Sequence, residues 1–407
     1  MLREGVIADV AAKQKANVMR RLPGLSRIGR LKDAPSGFVT IITGVRRCGK
    51  STLMEQRMRT KGDAAFYLNF ESSALAGLEL KDAPRLDRII AASGAKAVYL
   101  DEVQQLDGWE RYVRTKLDEG FEVVVTGSNA SLLARELGTK LTGRHVDCEL
   151  YPFDYDEFLA FTRSKRGSAS VRNYLDRGGF PAYLASDDER LLESLFEDIL
   201  VRDIAVRHGV REVDALRRLA AYLVETVGGR MSASRLRQPL AISSTATILK
   251  WGEFFSDAYL FDFVPLFSPS VRVQLANPRK CYCIDTGLQH VLSATAAPDE
   301  ARRFENLVYL SLRRNCRTVF YFDEGNGECD FIPLVGKRVG CPVQATFSLN
   351  DETEEREISG VREAMRRLGR KLGWIVTLGD EDELGFDEGI VKVVPFHKFR
   401  AEEVLKT

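Results

Sequence analysis

The sequence holds no apolar run near the ~18 residues that a membrane-spanning helix needs. Its opening stretch, MLREGVIADVAAKQKANVMRR, lacks the apolar segment of a signal peptide. The seven cysteines, at 48, 148, 281, 283, 316, 329 and 341, form no CxxC pair, so neither a disulfide framework nor a zinc site is indicated. The four histidines, His145, His208, His290 and His397, stand apart without ligand spacing and take no role. Net charge is almost nil: 59 Lys+Arg against 58 Asp+Glu leave +1. A uniformly basic coat for nucleic acid is thereby excluded, although single segments stay open to it. There is no internal repeat and no low-complexity tract. These absences leave the expectation of a cytoplasmic chain with free thiols and no membrane partner.

What is present is an ordinary globular mixture, 44% hydrophobic and 29% charged over 407 residues, enough for two or three domains. Residues 1–35 read as a polar, basic segment in which Pro23 and Gly24 break any helix. From Gly37 the texture changes. FVTIITG (38–44), AAFYLNF (64–70), AVYLDE (97–102) and FEVVVTGS (121–128) are short apolar runs separated by charged stretches of helix length, and HVDCEL (145–150) offers a fifth. Runs apolar on both faces that alternate with helices predict parallel strands of a doubly wound sheet. From 155 to 230 the pattern is helical: Leu191, Leu192, Leu195, Ile199 and Ile204 recur, then Leu216, Leu219, Leu223 and Val227. Residues 232–270 read as helix, turn, helix and a hairpin-like segment turning at Ser268-Pro269. Beyond 300 the pattern gives a helix (ENLVYLSLRR), strands in VFYF, CDFIPLV and CPVQATF, a helix at 362–371, and strands in WIVTL and GIVKVVPF.

Gly44-Val45-Arg46-Arg47-Cys48-Gly49-Lys50-Ser51, with Thr52 following, fits G-x-x-x-x-G-K-[ST] between a strand and a helix. Such a loop turns successive backbone N–H groups onto phosphate oxygens, and the helix N-terminus adds its partial positive charge. In this pattern Lys50 reaches the β- and γ-phosphates and the Ser51 hydroxyl ligates Mg²⁺, so ATP and Mg²⁺ are the expected cofactors. Asp101 and Glu102 emerge from the tip of an apolar strand one unit later: Asp101 is suited to hold the metal and Glu102 to polarise the attacking water. Ser128 and Asn129, after the fourth strand, are candidates to contact the γ-phosphate or the water, and either would equally serve as a helix N-cap. Arg144 is the candidate arginine finger, acting on a neighbouring subunit, against the reading of an ordinary surface Arg.

GVRRCGKSTL, YLDEVQQLDGWE, VVTGSNASLL and LTGRHVDCELYPFDYDEFL together resemble a bacterial and archaeal AAA-type ATPase family. The likeness continues through YLDRGGFPAYL, DILVRDI, KCYCIDTGL, FENLVYLSLRR and ECDFIPL, and so covers nearly the whole chain. The resemblance implies an α/β fold class: a P-loop parallel-sheet ATPase domain (36–152) after an N-terminal segment (1–35), a helical lid (153–228), a winged-helix-like domain (229–298), and a C-terminal PD-(D/E)XK nuclease-like domain (299–407). In the winged-helix reading, Ile248, Leu249, Phe254 and Phe255 form the buried face of the second helix. Ser244, Thr245, Thr247 and Lys250 then face outward, with Arg230, Arg235, Arg237 and Arg272 available to phosphates. In the nuclease-like reading, Glu305, Asp330 and Gln344 occupy the metal-binding positions. The expected E-x-K reads Gln344-x-Thr346, which lacks both an acidic ligand and the Lys, so the site is expected to be inactive. Arg362, Arg366, Arg367, Arg370 and Lys371 form either a phosphate track or a solvated charged face.

The expected function is an Mg²⁺-dependent ATPase that binds or remodels DNA as a homo-oligomer, such as a hexameric ring. The rivals are a nucleotide switch for protein partners and an ATP-regulated nuclease.

Overall fold

The computed structural model describes residues 2–127, 143–294, 299–325, 327–350 and 354–405. By internal contacts the chain divides into two units: Met1–Tyr151 with Asp257–Tyr259, and Pro152–Ser256 with Leu260–Thr407. Among the described residues, no helix is long and apolar enough to cross a membrane.

In the first unit the five apolar runs become strands β1 (Val39–Thr43), β2 (Ala65–Asn69), β3 (Ala97–Asp101), β4 (Glu122–Thr126) and β5 (His145–Glu149). All pair in parallel, in the order β2-β3-β4-β1-β5. β4 therefore lies between β1 and β3, with Ile41 opposite Val125 and Leu100 opposite Val125 across the two ladders. Continuous hydrophobicity follows from burial on both faces: β1 and β3 have no exposed position. Ile41, Leu68, Leu100, Val113, Val123 and Val125 belong to one core. Each such side chain stabilises the fold by about 1.5–3 kcal/mol.

The N-terminal segment, read from the sequence only as polar and basic, holds a helix that stops ahead of the expected break at Pro23 and Gly24. Glu4–Arg20 forms helix α1, which ends before Pro23 and packs on β2. It buries Ile7, Ala11 and Val18, whose spacings of four and seven place them on one face. Gln14 joins it to the sheet edge: its Nε2 donates to Asn69 O (3.0 Å), and its Oε1 accepts from Asn69 N (2.8 Å).

The second unit opens with helices Tyr155–Thr162, Ser168–Arg177, Pro181–Ser186 and Arg190–Asp198. The chain then winds as a π-helix over Ile199–Val206 before the helix Val213–Glu225. Five residues separate the buried Ile199 and Ile204, and a π turn brings that spacing onto one face. Next come β6 (Arg230–Met231), β7 (Phe261–Val264) and β8 (Arg279–Cys283), an antiparallel sheet in the order β6-β8-β7. The hairpin-like segment expected near 268 carries a short helix, Val271–Ala276, between β7 and β8. In the helix Thr245–Asp257 the buried positions are Ile248, Trp251, Gly252 and Phe255. Leu249, expected to be buried, is 56% exposed because it lies about 100° around the helix from Ile248.

The remaining strands are β9 (Thr318–Asp323), β10 (Glu328–Val335), β11 (Arg338–Val339), β12 (Val343–Ala345), β13 (Leu372–Thr377), β14 (Asp382–Phe386) and β15 (Gly389–Pro395). They form one seven-stranded sheet, in which β12, β13 and β15 run parallel and the other pairings are antiparallel. The helix packed on it spans Glu354–Leu368, not 362–371. Gly369 takes a positive φ of 65° just past its last turn, a C-terminal stop that leaves Arg370 and Lys371 outside the helix.

Candidate functional site

The loop after β1 is shaped by close backbone approach. A Cβ on Gly44 would lie 2.0 Å from Leu150 O, and its φ of 145° suits glycine alone. Val45 and Cys48 are buried, and Cys48 Sγ donates to Leu150 O (3.2 Å). Arg46 is half-buried and Arg47 exposed. Gly49 caps helix α2 (Lys50–Arg59), so the first-turn amides of α2 and the ammonium of Lys50 share one loop. Lys50 is buried, and its Nζ donates to Gly44 O and Val45 O, both at 3.0 Å. Thr52 is exposed on the first turn.

Two carboxylates stand at the tip of β3. Asp101 is fully buried, and four side chains surround it. Its Oδ1 accepts from Ser51 Oγ (3.0 Å) and from the Thr126 hydroxyl; its Oδ2 accepts from Tyr67 OH (2.9 Å) and Asn69 Nδ2 (3.0 Å). Glu102 adopts a left-handed φ of 52°, a costly conformation for a non-glycine residue and one found at active sites. Its N–H donates to Thr126 Oγ1 (2.9 Å), and its carboxylate accepts from Gln104 Nε2. Burial holds the Glu102 carboxyl above the usual carboxylate range, with Lys50 pulling it down and Asp101 pushing it up. The Ser51 hydroxyl beside a buried carboxylate is a pair of hard oxygen donors, and the loop carries a cation: the residues fit a nucleotide with Mg²⁺.

Ser128 and Asn129 lie outside the described residues. Arg144 is partly exposed, and its Nη1 donates to Asp118 Oδ1 (2.9 Å) at the end of the helix Trp109–Asp118. Thr126, Asn69 and Tyr67 were not singled out from the sequence. The one available signal is a polar residue at the end of an otherwise apolar strand.

Glu305, Asp330 and Gln344 also meet, in the second unit, at a pocket of about 700 Å³. Glu305 comes from the helix Glu300–Arg313, Asp330 from β10 and Gln344 from β12. The spacing Gln344-x-Thr346 lacks a Lys, yet the structure brings one from β8. Lys280 is buried, and its Nζ lies 2.8 Å from Asp330 Oδ1, 2.8 Å from Glu328 Oε1 and 3.2 Å from Glu305 Oε1. Burial alone would lower the Lys280 pKa, but Asp330, Glu305 and Glu328 outweigh it and hold it well above the ordinary lysine range. Burial, then Asp330, push the Glu305 carboxyl up to about 7. Tyr282 OH also donates to Glu305 Oε1 (2.7 Å). Gln344 Oε1 accepts from Asp330 N (3.0 Å), and its Nε2 donates to Glu357.

Five of the basic residues expected to meet phosphates have carboxylate or carbonyl partners. Arg362 pairs with Glu388, Arg366 with Glu363, Arg367 with Glu324, and Arg370 donates to Val339 O. Arg230 pairs with Asp323 and Glu328 and lies over the Tyr321 ring.

A five-stranded parallel sheet with a glycine-rich loop after its first strand and an Asp-Glu pair on its third defines a P-loop nucleotide-binding domain. Residues 36–159 match the AAA domain family, which supports a nucleotide-dependent ATPase. Residues 168–299 match a domain of unknown function (DUF8612). An uncharacterized protein of Haemophilus influenzae is 30% identical over 82% of this chain and 88% of its own length, and the chain belongs to the same family. An uncharacterized protein of Methanocaldococcus jannaschii is 29% identical over 98% of this chain and 96% of its own. Among solved structures, AMPPCP-bound DnaA from Aquifex aeolicus is 14% identical over 63% of this chain and 89% of that one, at a TM-score of 0.25. C. elegans PCH-2 is 15% identical over 42% and 46%, at 0.23. Scores this low carry no further argument.

Proposed function

We propose that the chain is an Mg²⁺-dependent ATPase that couples ATP binding and hydrolysis to binding or remodelling of DNA. The observation that carries the ATPase reading is the Ser51–Asp101 hydrogen bond, with Glu102 fixed beside it by Thr126. Ser51 and Asp101 would hold Mg²⁺, which would supply charge neutralisation on the phosphates. Lys50 leaves the loop carbonyls to engage the β- and γ-phosphates. Glu102 accepts a hydrogen bond from the attacking water and orients it. Arg144 serves as a finger toward a neighbouring subunit once its pair with Asp118 opens, which makes an oligomer the working form.

The DNA-directed half rests on architecture. The helix Thr245–Asp257, which lies in the chain between β6 and β7, and the antiparallel β6-β8-β7 sheet support a winged helix over 229–298, and residues 153–228 form a lid. The sheet of β9 to β15, with Glu305, Asp330 and Gln344 gathered on it, supports a PD-(D/E)XK-like fold over 299–407. Lys280 already pairs with the carboxylates that a catalytic metal would need, which favours binding over cleavage.

The test is ATP turnover in Mg²⁺ with and without single-stranded, duplex and branched DNA. Stimulation by DNA is expected. Turnover that no DNA alters would transfer the reading to a switch for protein partners, and DNA cleavage abolished by Asp330→Ala would transfer it to a nuclease.

The pH profile gives a second expectation. Glu102 must be ionised to polarise water, and in the free protein its carboxyl titrates above the usual range, so kcat/KM should fall on the acid side earlier than for an ordinary glutamate. The hydrogen bond from Gln104 lowers that titration point. Gln104→Leu should therefore move the acid limb of kcat/KM, which reports the free enzyme, to higher pH and leave the alkaline limb in place. An unmoved acid limb in this variant would assign the limb to another group.

A further inference from the structure

Arg27 lies in the N-terminal segment, outside every motif of the nucleotide site, yet it is 6% exposed and its guanidinium spans two backbone carbonyls. Nη1 donates to Cys48 O (3.0 Å), and Nη2 donates to Tyr151 O (3.0 Å). Its own N–H donates to Gln56 Oε1 (2.9 Å). Gln56, buried on α2, in turn donates to Pro23 O and Leu25 O, both at 2.8 Å. The stretch 23–27 is thus fastened to the phosphate loop and to the helix behind it.

We infer that Arg27 is a positioning residue for the phosphate cradle, an inference that rests on the nucleotide reading above. A trans peptide sets its C=O and N–H antiparallel. Holding Cys48 O toward the guanidinium therefore fixes the direction of the Gly49 N–H, which follows in the same peptide plane. Gly49 has a φ of 104°, where glycine moves freely between basins, so this peptide needs an external restraint to keep one orientation. The planar fork of Arg grips two acceptors at a fixed separation, which a single ammonium cannot do. The buried cation also adds positive potential behind the loop: both Lys50 and Arg27 draw down the titration of the buried Cys48 thiol, although burial dominates and leaves it raised.

The test measures ADP and AMP affinity by calorimetry for wild type, Arg27→Ala and Arg27→Lys, beside the melting temperature of each without nucleotide. A loss directed at the cradle should weaken ADP by at least ~10-fold in Arg27→Ala, the scale of one misdirected charge-assisted hydrogen bond. AMP affinity should change little, because AMP lacks the β-phosphate. Arg27→Lys keeps the charge and one donor and should fall between, which also covers the case in which Arg27→Ala does not fold. Wild type that binds no ADP would overturn the nucleotide reading itself. Wild type that binds ADP, with folded variants that bind it equally, or that lose ADP and AMP alike, would overturn the role of Arg27 alone.

Discussion

Glu102→Gln lowers ATP turnover at least ~100-fold while nucleotide still binds, as expected when only the group that polarises water is lost. The geometry makes this variant informative. Gln is isosteric, and the hydrogen bond from the Glu102 N–H to Thr126 Oγ1 involves backbone, so the left-handed turn and the Asp101 network persist. Lys50→Ala, by contrast, loses binding and turnover together, because Lys50 is the buried cation of the loop. Equilibrium nucleotide titration beside steady-state turnover separates the two. Near-normal turnover in Glu102→Gln would remove this residue from the mechanism.

Lys280→Ala has a large effect of another kind. It leaves Asp330, Glu305 and Glu328 without their shared ammonium, and removing one partner of a buried ion network costs about 3–5 kcal/mol. Of the three carboxylates, only Glu328 is substantially exposed, so solvent screens the others little. The pH dependence has a definite sign. Lys280 is among the groups that pull the Glu305 titration down, so its loss raises that carboxyl further above its unfolded value. Between the unfolded and folded pKa values the native state then binds more protons than the unfolded chain, and stability falls as pH rises. The deficit against wild type should be greatest near pH 8 and shrink toward pH 5, measured by denaturant unfolding. Adding Glu305→Gln and Asp330→Asn should recover part of the loss. A small, pH-independent deficit would mean that Lys280 contributes by packing alone.

Legibility in the sequence followed the range of the interactions. The five strands of the first unit were readable because burial on both faces writes a continuous apolar run. The loop, Asp101 and Glu102 were readable because each motif is local. Helix α1 was missed because only Ile7, Ala11 and Val18 of its 17 residues are buried. The front half of the helix Glu354–Leu368 was missed because its acidic first turn resembles loop. The site's supporting groups act across the chain: Thr126 meets Asp101 from 25 residues away, Asn69 from 32, Lys280 meets Asp330 from 50, and Arg27 meets Tyr151 from 124. No periodicity encodes such pairings. They arise only when the sheet order sets strand ends side by side.

The placement of Lys280 bears on how this protein can change over evolutionary time. A strand of the small antiparallel sheet supplies Lys280, the ammonium shared by Glu305 of Glu300–Arg313 and by Glu328 and Asp330 of β10. Recombination that replaced everything after residue 299 with a foreign segment would strand a lysine, a set of acids, or both. The segments on either side of that point are therefore inherited together, and substitutions at 280, 305 and 330 should appear as linked changes across relatives. A lineage that lost Lys280 while keeping both acids would be the informative exception, because its vacated carboxylates would be free to recruit a metal ion.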